Sequence, residues 1–131
     1  MKIEEIKNQE LKDLINMSYL HGENQNQQAI EEDKAKISEY IKEHELIISM
    51  ENGEAVKIPY GNDGEYVVPV FTDNQQYCLG MQYFSLNLMD DEKDYIIEKV
   101  DYFKKLKEDP NFLGFLVNIA RISYIITVDL I

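Results

Sequence analysis

Few side chains in this sequence have the type and spacing that chemistry requires. His21 and His44 are its two histidines, and neither has a partner at the spacing of a helical metal pair. His44 closes a helix-forming stretch, where a cation complements the negative end of the dipole. Cys78, the single cysteine, stands between Tyr77 and Leu79 and reads as a buried apolar thiol without an activating base. Asn62-Asp63-Gly64-Glu65 holds a fragment of a calcium loop but lacks the alternating oxygen ligands of the whole, and turn chemistry accounts for it. Asp90-Asp91-Glu92 with Asp94 forms a carboxylate set that the start of a helix explains equally well. Neither a glycine-rich phosphate loop nor a Ser/His/Asp arrangement occurs. The sequence therefore predicts no catalytic residue, no cofactor, no metal ligand and no enzymatic activity.

Aromatic residues are the stronger functional candidates. Tyr60 and Tyr66 flank the turn Gly61-Asn62-Asp63-Gly64, and Phe71, Tyr77, Tyr83 and Phe84 follow closely. Strand alternation over residues 65–72 sends Val67, Pro69 and Phe71 inward and Tyr66, Val68 and Val70 outward. Tyr60, Asp63, Glu65 and Tyr66 would then form an acidic aromatic surface suited to a protein partner.

Composition narrows the class of that partner. The chain has 131 residues, 44% of them hydrophobic, which suits a single domain with one core. Its net charge is −12, and residues 45–89 hold six acids against one base, Lys57. Such a balance repels nucleic acid and anionic membrane surfaces and attracts a basic protein. One cysteine excludes an internal disulfide. The first residues carry no leader-like apolar run, and no stretch approaches the roughly 20 apolar residues of a membrane helix, so a cytoplasmic location is expected.

The elements that must position these residues follow from periodicity. Residues 3–20 carry a helical stripe of Ile3, Ile6, Leu11, Leu14 and Ile15, which packs on the domain or serves a homodimer. Residues 21–28 read as a loop, and residues 27–44 as a second helix with Ile30, Ile37, Tyr40 and Ile41 on one face. Residues 46–50 form a strand, Asn52-Gly53 a hairpin turn, and residues 55–60 the return strand. The strand 65–72 runs into a short helix over 74–79, capped by Thr72 or Asp73 and ended by Gly80. Residues 82–86 read as a strand. Residues 91–107 read as a helix, with acids in the first turn and Lys104, Lys105 and Lys107 in the last. Residues 112–120 suit a short buried helix and residues 122–129 an interior strand. Pro59 and Pro69 belong at edges, strand ends or bulges. The expected fold is α+β: a mostly antiparallel sheet of four or five strands with helices on one face, preceded by the extra helix 1–20.

The segment Val68-Pro69-Val70-Phe71-Thr72-Asp73 resembles the signature of the SseB-like N-terminal domain, a family named for enhanced serine sensitivity. The resemblance covers residues 30–131 and leaves the helix 1–20 outside. It implies the order helix, two strands, signature strand, short helix, strand, helix and final strand. It also implies a binding or accessory module without established catalytic residues. The family's last strand runs into an Asn-Pro pair, whereas Val128-Asp129-Leu130-Ile131 stands here. The expected function is a non-enzymatic interaction module. The alternatives are an immunity protein that neutralises a basic toxin and a small ligand-binding regulator.

Overall fold

The computed structural model of the chain describes residues 2–87, 94–121 and 123–130. Leu11 and Ile15 of α1 (Gln9–Glu23) and Ile37, Tyr40 and Ile41 of α2 (Gln27–Glu43) recur at helical spacing and are buried together. The loop expected at 21–28 shortens, because α1 continues through Glu23 and Asn26 caps α2 by accepting the Ala29 N–H at 3.2 Å. Ile3 and Ile6 belong instead to a short 3-10 turn, Ile3–Glu5, and to the link behind it, and pack on a different cluster from Leu11.

Among the described residues seven strands follow: β1 (Leu46–Glu51), β2 (Glu54–Ala55), β3 (Ile58–Pro59), β4 (Tyr66–Phe71), β5 (Asp94–Glu98), β6 (Phe112–Val117) and β7 (Tyr124–Thr127). β5 occupies one edge of β1 along its whole length, from Leu46↔Glu98 to Met50↔Asp94. The other edge of β1 is shared: its start pairs with β4 (Ile47↔Phe71) and its end with β2 (Met50↔Ala55). β3 in turn pairs with the start of β4. β1 and β4 thus diverge, and the short strands β2 and β3 fill the splay. Four of these pairings are antiparallel with β1 or β4, β6 pairs parallel with β4, and β6–β7 is antiparallel. The class is α+β and the sheet is mostly antiparallel, as expected, with one parallel pairing and with seven strands among the described residues in place of four or five.

Pro69 sits inside this sheet, and the splay is the reason it can. Odd residues of β4 direct their backbone groups toward β1 and β3, since Val70 accepts from Asn118 and Tyr66 donates to Asn111 on the opposite side. Pro69 falls between the β3 pairing at Val67 and the β1 pairing at Phe71, where no ladder partner needs its missing N–H.

Both faces of the sheet are covered. Tyr66, Val68, Val70 and Phe115 face α1 and α2, while Ile47 and Phe71 pack with Tyr77 of α3 (Asn74–Asn87) and with Ile3 and Ile6. The expectation of helices on one face is corrected accordingly, and every side chain of β4 is buried. Gly80 does not end the helix. A Cβ there would lie 2.3 Å from Cε1 of the Phe71 ring, so glycine lets α3 lie flat on the sheet and run on through residues 82–86.

Three other elements differ from expectation. Asp94–Glu98 is a strand, because the free edge of β1 offers five backbone partners to a segment containing Tyr95, Ile96 and Ile97. The helical part of the stretch begins only at Val100 and is a 3-10 segment, Val100–Glu108, interrupted at Phe103 (φ −105°, ψ 28°). Phe112–Val117 is β6 and not a helix, and β7 lies at the sheet's edge before a 3-10 turn, Val128–Leu130. The carboxylates Asp90, Asp91 and Glu92, the link 87–89 and Ile122 fall wholly or partly outside the described residues. No helix among the described residues is long and apolar enough to cross a membrane.

Candidate functional site

The densest polar cluster lies where β4 ends, and its hydrogen bonds are internal. The Asn118 Nδ2 donates to Thr72 Oγ1 (3.0 Å), the Thr72 N–H donates to Asn118 Oδ1 (3.0 Å), and Thr72 Oγ1 donates to Asp73 Oδ2 (2.8 Å). Asp73 caps α3 by accepting the Gln76 N–H at 3.1 Å and pairs with Lys12 of α1 at 3.0 Å. Burial pushes the Asp73 carboxyl up, but the Gln76 N–H, the Lys12 ammonium and the Thr72 hydroxyl outweigh it and hold the group below its ordinary value. Asn8 completes the junction: its Nδ2 donates to the Glu45 and Thr72 carbonyls, and its Oδ1 accepts from Tyr40. These groups tie α1 and α2 to the end of β4, a structural task.

The histidines and the cysteine are likewise engaged locally. His44 stacks on Tyr40 with ring centroids 3.8 Å apart, and its Nδ1 meets the Tyr40 carbonyl at 2.8 Å. His21 pairs with Asp33 at 2.6 Å. Cys78 is exposed and not buried, because the face of α3 that holds Tyr77 is the one turned to the sheet. Among the described residues no group of His, Cys, Asp and Glu side chains could hold a metal ion.

The expected partner surface divides. Tyr60 is 49% exposed at the end of β3, beside the turn that carries exposed Asp63. Glu65 is half-buried and folds back on that turn, its Oε1 accepting the Asn62 N–H at 2.7 Å. Tyr66 is only 7% exposed, which corrects its outward placement. Alternation along β4 holds, but the face taken as solvent is the one that α1 and α2 cover. The Tyr66 ring lies against Phe112 (centroids 5.8 Å) with Lys57 Nζ 5.0 Å from its centre, and its hydroxyl donates to Asp109 Oδ2 at 2.7 Å. Burial, then the bond to Asp109, then that carboxylate's charge, pushes the Tyr66 hydroxyl up to about 12.

Tyr60 instead joins a groove of about 620 Å³ on the α3 face, next to the edge strand β7. Tyr19, Tyr60, Tyr83 and Tyr124 line it around Leu116 and Ile119. Tyr19 reaches in from α1, meets Tyr124 edge-on at 6.0 Å and donates its hydroxyl to the Ser123 carbonyl. Burial, and after it the neighbouring Tyr124, raises the Tyr19 hydroxyl above its ordinary value, so it remains a neutral donor. The other lining groups include Ile58, Pro59 and Ile125, and none of the described lining residues carries a charge. An apolar floor with phenolic rims is suited to binding an apolar anchor and satisfying polar groups around it. Sequence reasoning placed Tyr60 in the partner surface and named Tyr83 among the aromatic candidates, but missed Tyr19 and Tyr124, which come from distant elements. Their shared residue type was the available signal.

Compared with known proteins, the chain matches no family model, no curated protein and no solved structure.

Proposed function

We propose that the chain is a non-enzymatic, SseB-like interaction module whose tyrosine-rimmed groove receives a protein partner with an apolar anchor and basic flanks. One observation carries this. Of the six large hydrophobic side chains exposed among the described residues, Tyr19, Tyr60 and Tyr83 line the same groove. Clustered exposed tyrosines over an apolar floor are the usual anatomy of a binding hot spot. Basic flanks follow from Asp63 beside Tyr60 and from the net charge of −12. The SseB-like part is supported by the order of elements. From α2 onward the chain runs helix, strands β1, β2 and β3, strand β4, helix α3, strand β5, a 3-10 segment and strands β6 and β7, the implied order with β3 and a second closing strand added.

The test is capture from native lysate at low and moderate salt with wild type, a Tyr60→Ala/Tyr83→Ala variant and Tyr102→Ala, an exposed tyrosine outside the groove. One partner held by wild type and Tyr102→Ala, and weakened about tenfold or more by the double variant, is the expected outcome. Equal capture by all three proteins, or no enriched protein at either salt, refutes it. The same charge favours one sharper version, an immunity protein that neutralises a basic toxin. Adding salt should then lower the association rate more than it raises dissociation, and a toxin gene beside this one should accompany it.

A further inference from the structure

The opposite face of the sheet carries a second cavity, of about 470 Å³, with a different chemistry. Lys42 from the end of α2, Lys99 at the N-terminal cap of the 3-10 segment, and Lys104 and Lys107 within it surround a base that includes Phe112 and Phe115. Both phenylalanines are buried, and their rings meet edge-on at 5.3 Å. Asp101 is the one acid in the lining. A chain with 25 acids and 13 bases thus concentrates four of its cations around one apolar hollow.

Two backbone features build this arrangement. The segment turns on either side of the kink at Phe103, and Val100, Phe103 and Leu106 pack inward against the core. Lys104 and Lys107, one 3-10 turn apart beyond the kink, both line the cavity, and Lys105 is outside its lining. The second feature is the register shift between Tyr66↔Phe112 and Val67↔Gly114, which leaves Leu113 as an extra residue. Without it, alternation would send Phe112 to the α3 face. With it, Phe112 lies on the same side as Phe115. Lys42, Lys99 and Lys104 have no carboxylate within ion-pair distance among the described residues.

Four cations around aromatic rings suit neither a purely apolar ligand nor a bare inorganic anion. An apolar ligand would leave the ammonium groups of Lys42, Lys99 and Lys104 unused, and an inorganic anion would leave the phenylalanine floor facing water. We infer that this cavity binds a small amphipathic anion, a carboxylate on a hydrocarbon body, with the body over Phe112 and Phe115 and the head among the lysines. The volume falls within the roughly 300–1,000 Å³ usual for small-molecule sites. The inference is independent of the tyrosine groove, which lies on the other face.

Calorimetric titration of the full chain with decanoate below its micelle-forming concentration tests it, beside acetate, 1-octanol and phosphatidylserine vesicles. Saturable one-to-one binding of decanoate is expected, with acetate and 1-octanol at least tenfold weaker. The Lys42→Gln/Lys104→Gln variant should lose about tenfold in affinity, since each exposed pair contributes a fraction of the head-group attraction. The Lys36→Gln/Lys105→Gln variant makes the same change in net charge away from the cavity and should stay within about twofold. Four outcomes overturn the inference: no decanoate binding, acetate binding as tightly as decanoate, equal loss in both variants, or binding to vesicles alone. All four substituted lysines are exposed, and each variant is first checked by far-ultraviolet dichroism for an unchanged fold.

Discussion

Replacing Tyr66 separates an anchor of the fold from a contact for a partner. The Tyr66→Phe change keeps the ring on Phe112 and removes only the hydroxyl that donates to Asp109 at 2.7 Å. Hydrogen bonds to charged groups contribute about 1.5–3 kcal/mol. Asp109 keeps the Asn111 N–H at 2.9 Å and is partly solvated, which brings the expected loss just below that range, to about 1–1.5 kcal/mol. With an unfolding entropy of about 2.1 cal/mol/K per residue over this length, that is a fall of roughly 4–5 °C in Tm. Tyr66→Ala also empties the ring's volume and should cost about 3–5 kcal/mol. Urea and thermal unfolding measure both. The pH dependence supplies a second readout. A tyrosine raised to about 12 holds its proton in the fold after the unfolded chain, at 10.0, has lost it. Stability from this group is intact below 10.0 and declines as pH rises toward 12, and Tyr66→Phe should flatten that decline. If Tyr66→Phe and Tyr66→Ala both unfold within about 0.5 kcal/mol of wild type, the scatter of ordinary surface substitutions, the buried placement of Tyr66 is wrong.

Two further outcomes follow from the junction residues. Gly114→Ala should cost more than about 3 kcal/mol, because its φ of +147° disfavours a side chain and the new Cβ would lie 2.1 Å from the Ile126 carbonyl oxygen of β7. A urea midpoint within error of wild type would show that the β6–β7 pairing is not so close. Asp73, held below its ordinary 3.8, contributes stability that is full above that value and is lost as pH falls through the lowered native one. Lys12→Met should remove about 1.5 kcal/mol at neutral pH and make the acid decline shallower. An unchanged acid slope in urea unfolding refutes the role given to that pair.

The sequence carried the fold's class and its first half clearly, through local chemistry. The stretch 46–50, the Asn52-Gly53 turn, strand β4 and the Asp73 cap depend on neighbours close in sequence, and each stands where expected. Failures came where a distant partner decides. Residues 94–98 carry acids at the start of a segment that ends in lysines, as a helix would, yet the vacant edge of β1 recruits them. Phe112–Val117 is apolar throughout, a pattern shared by buried helices and buried parallel strands, and pairing with β4 decides it. Tyr66 alternates as expected, but alternation distinguishes two faces without saying which one meets water. The groove assembles tyrosines from α1, β3, α3 and β7, so only topology could reveal it. The helix-dipole reading covers Lys104 and Lys107 of the second cavity and leaves Lys42 and Lys99, which come from other positions, without one.

A chain of net charge −12 should repel anions, and the lysine cavity therefore needs its local field to prevail over the global one. Screening permits this. At physiological ionic strength the Debye length is about 8 Å, so carboxylates on distant helices contribute little inside the hollow, whereas lysines on its rim act at full reach. The low-dielectric floor of Phe112 and Phe115 strengthens that attraction further. The same arithmetic makes the site selective. A bare anion gains only the rim and arrives through a repulsive far field, and a neutral hydrocarbon gains only the floor. An amphipathic anion gains both, and lowering the salt should help it less than simple ion pairing predicts, because the far field and the rim then grow together with opposite sign. A nearly salt-independent affinity for decanoate, lost on removal of Lys42 and Lys104, would be the signature of a cationic pocket embedded in an acidic protein.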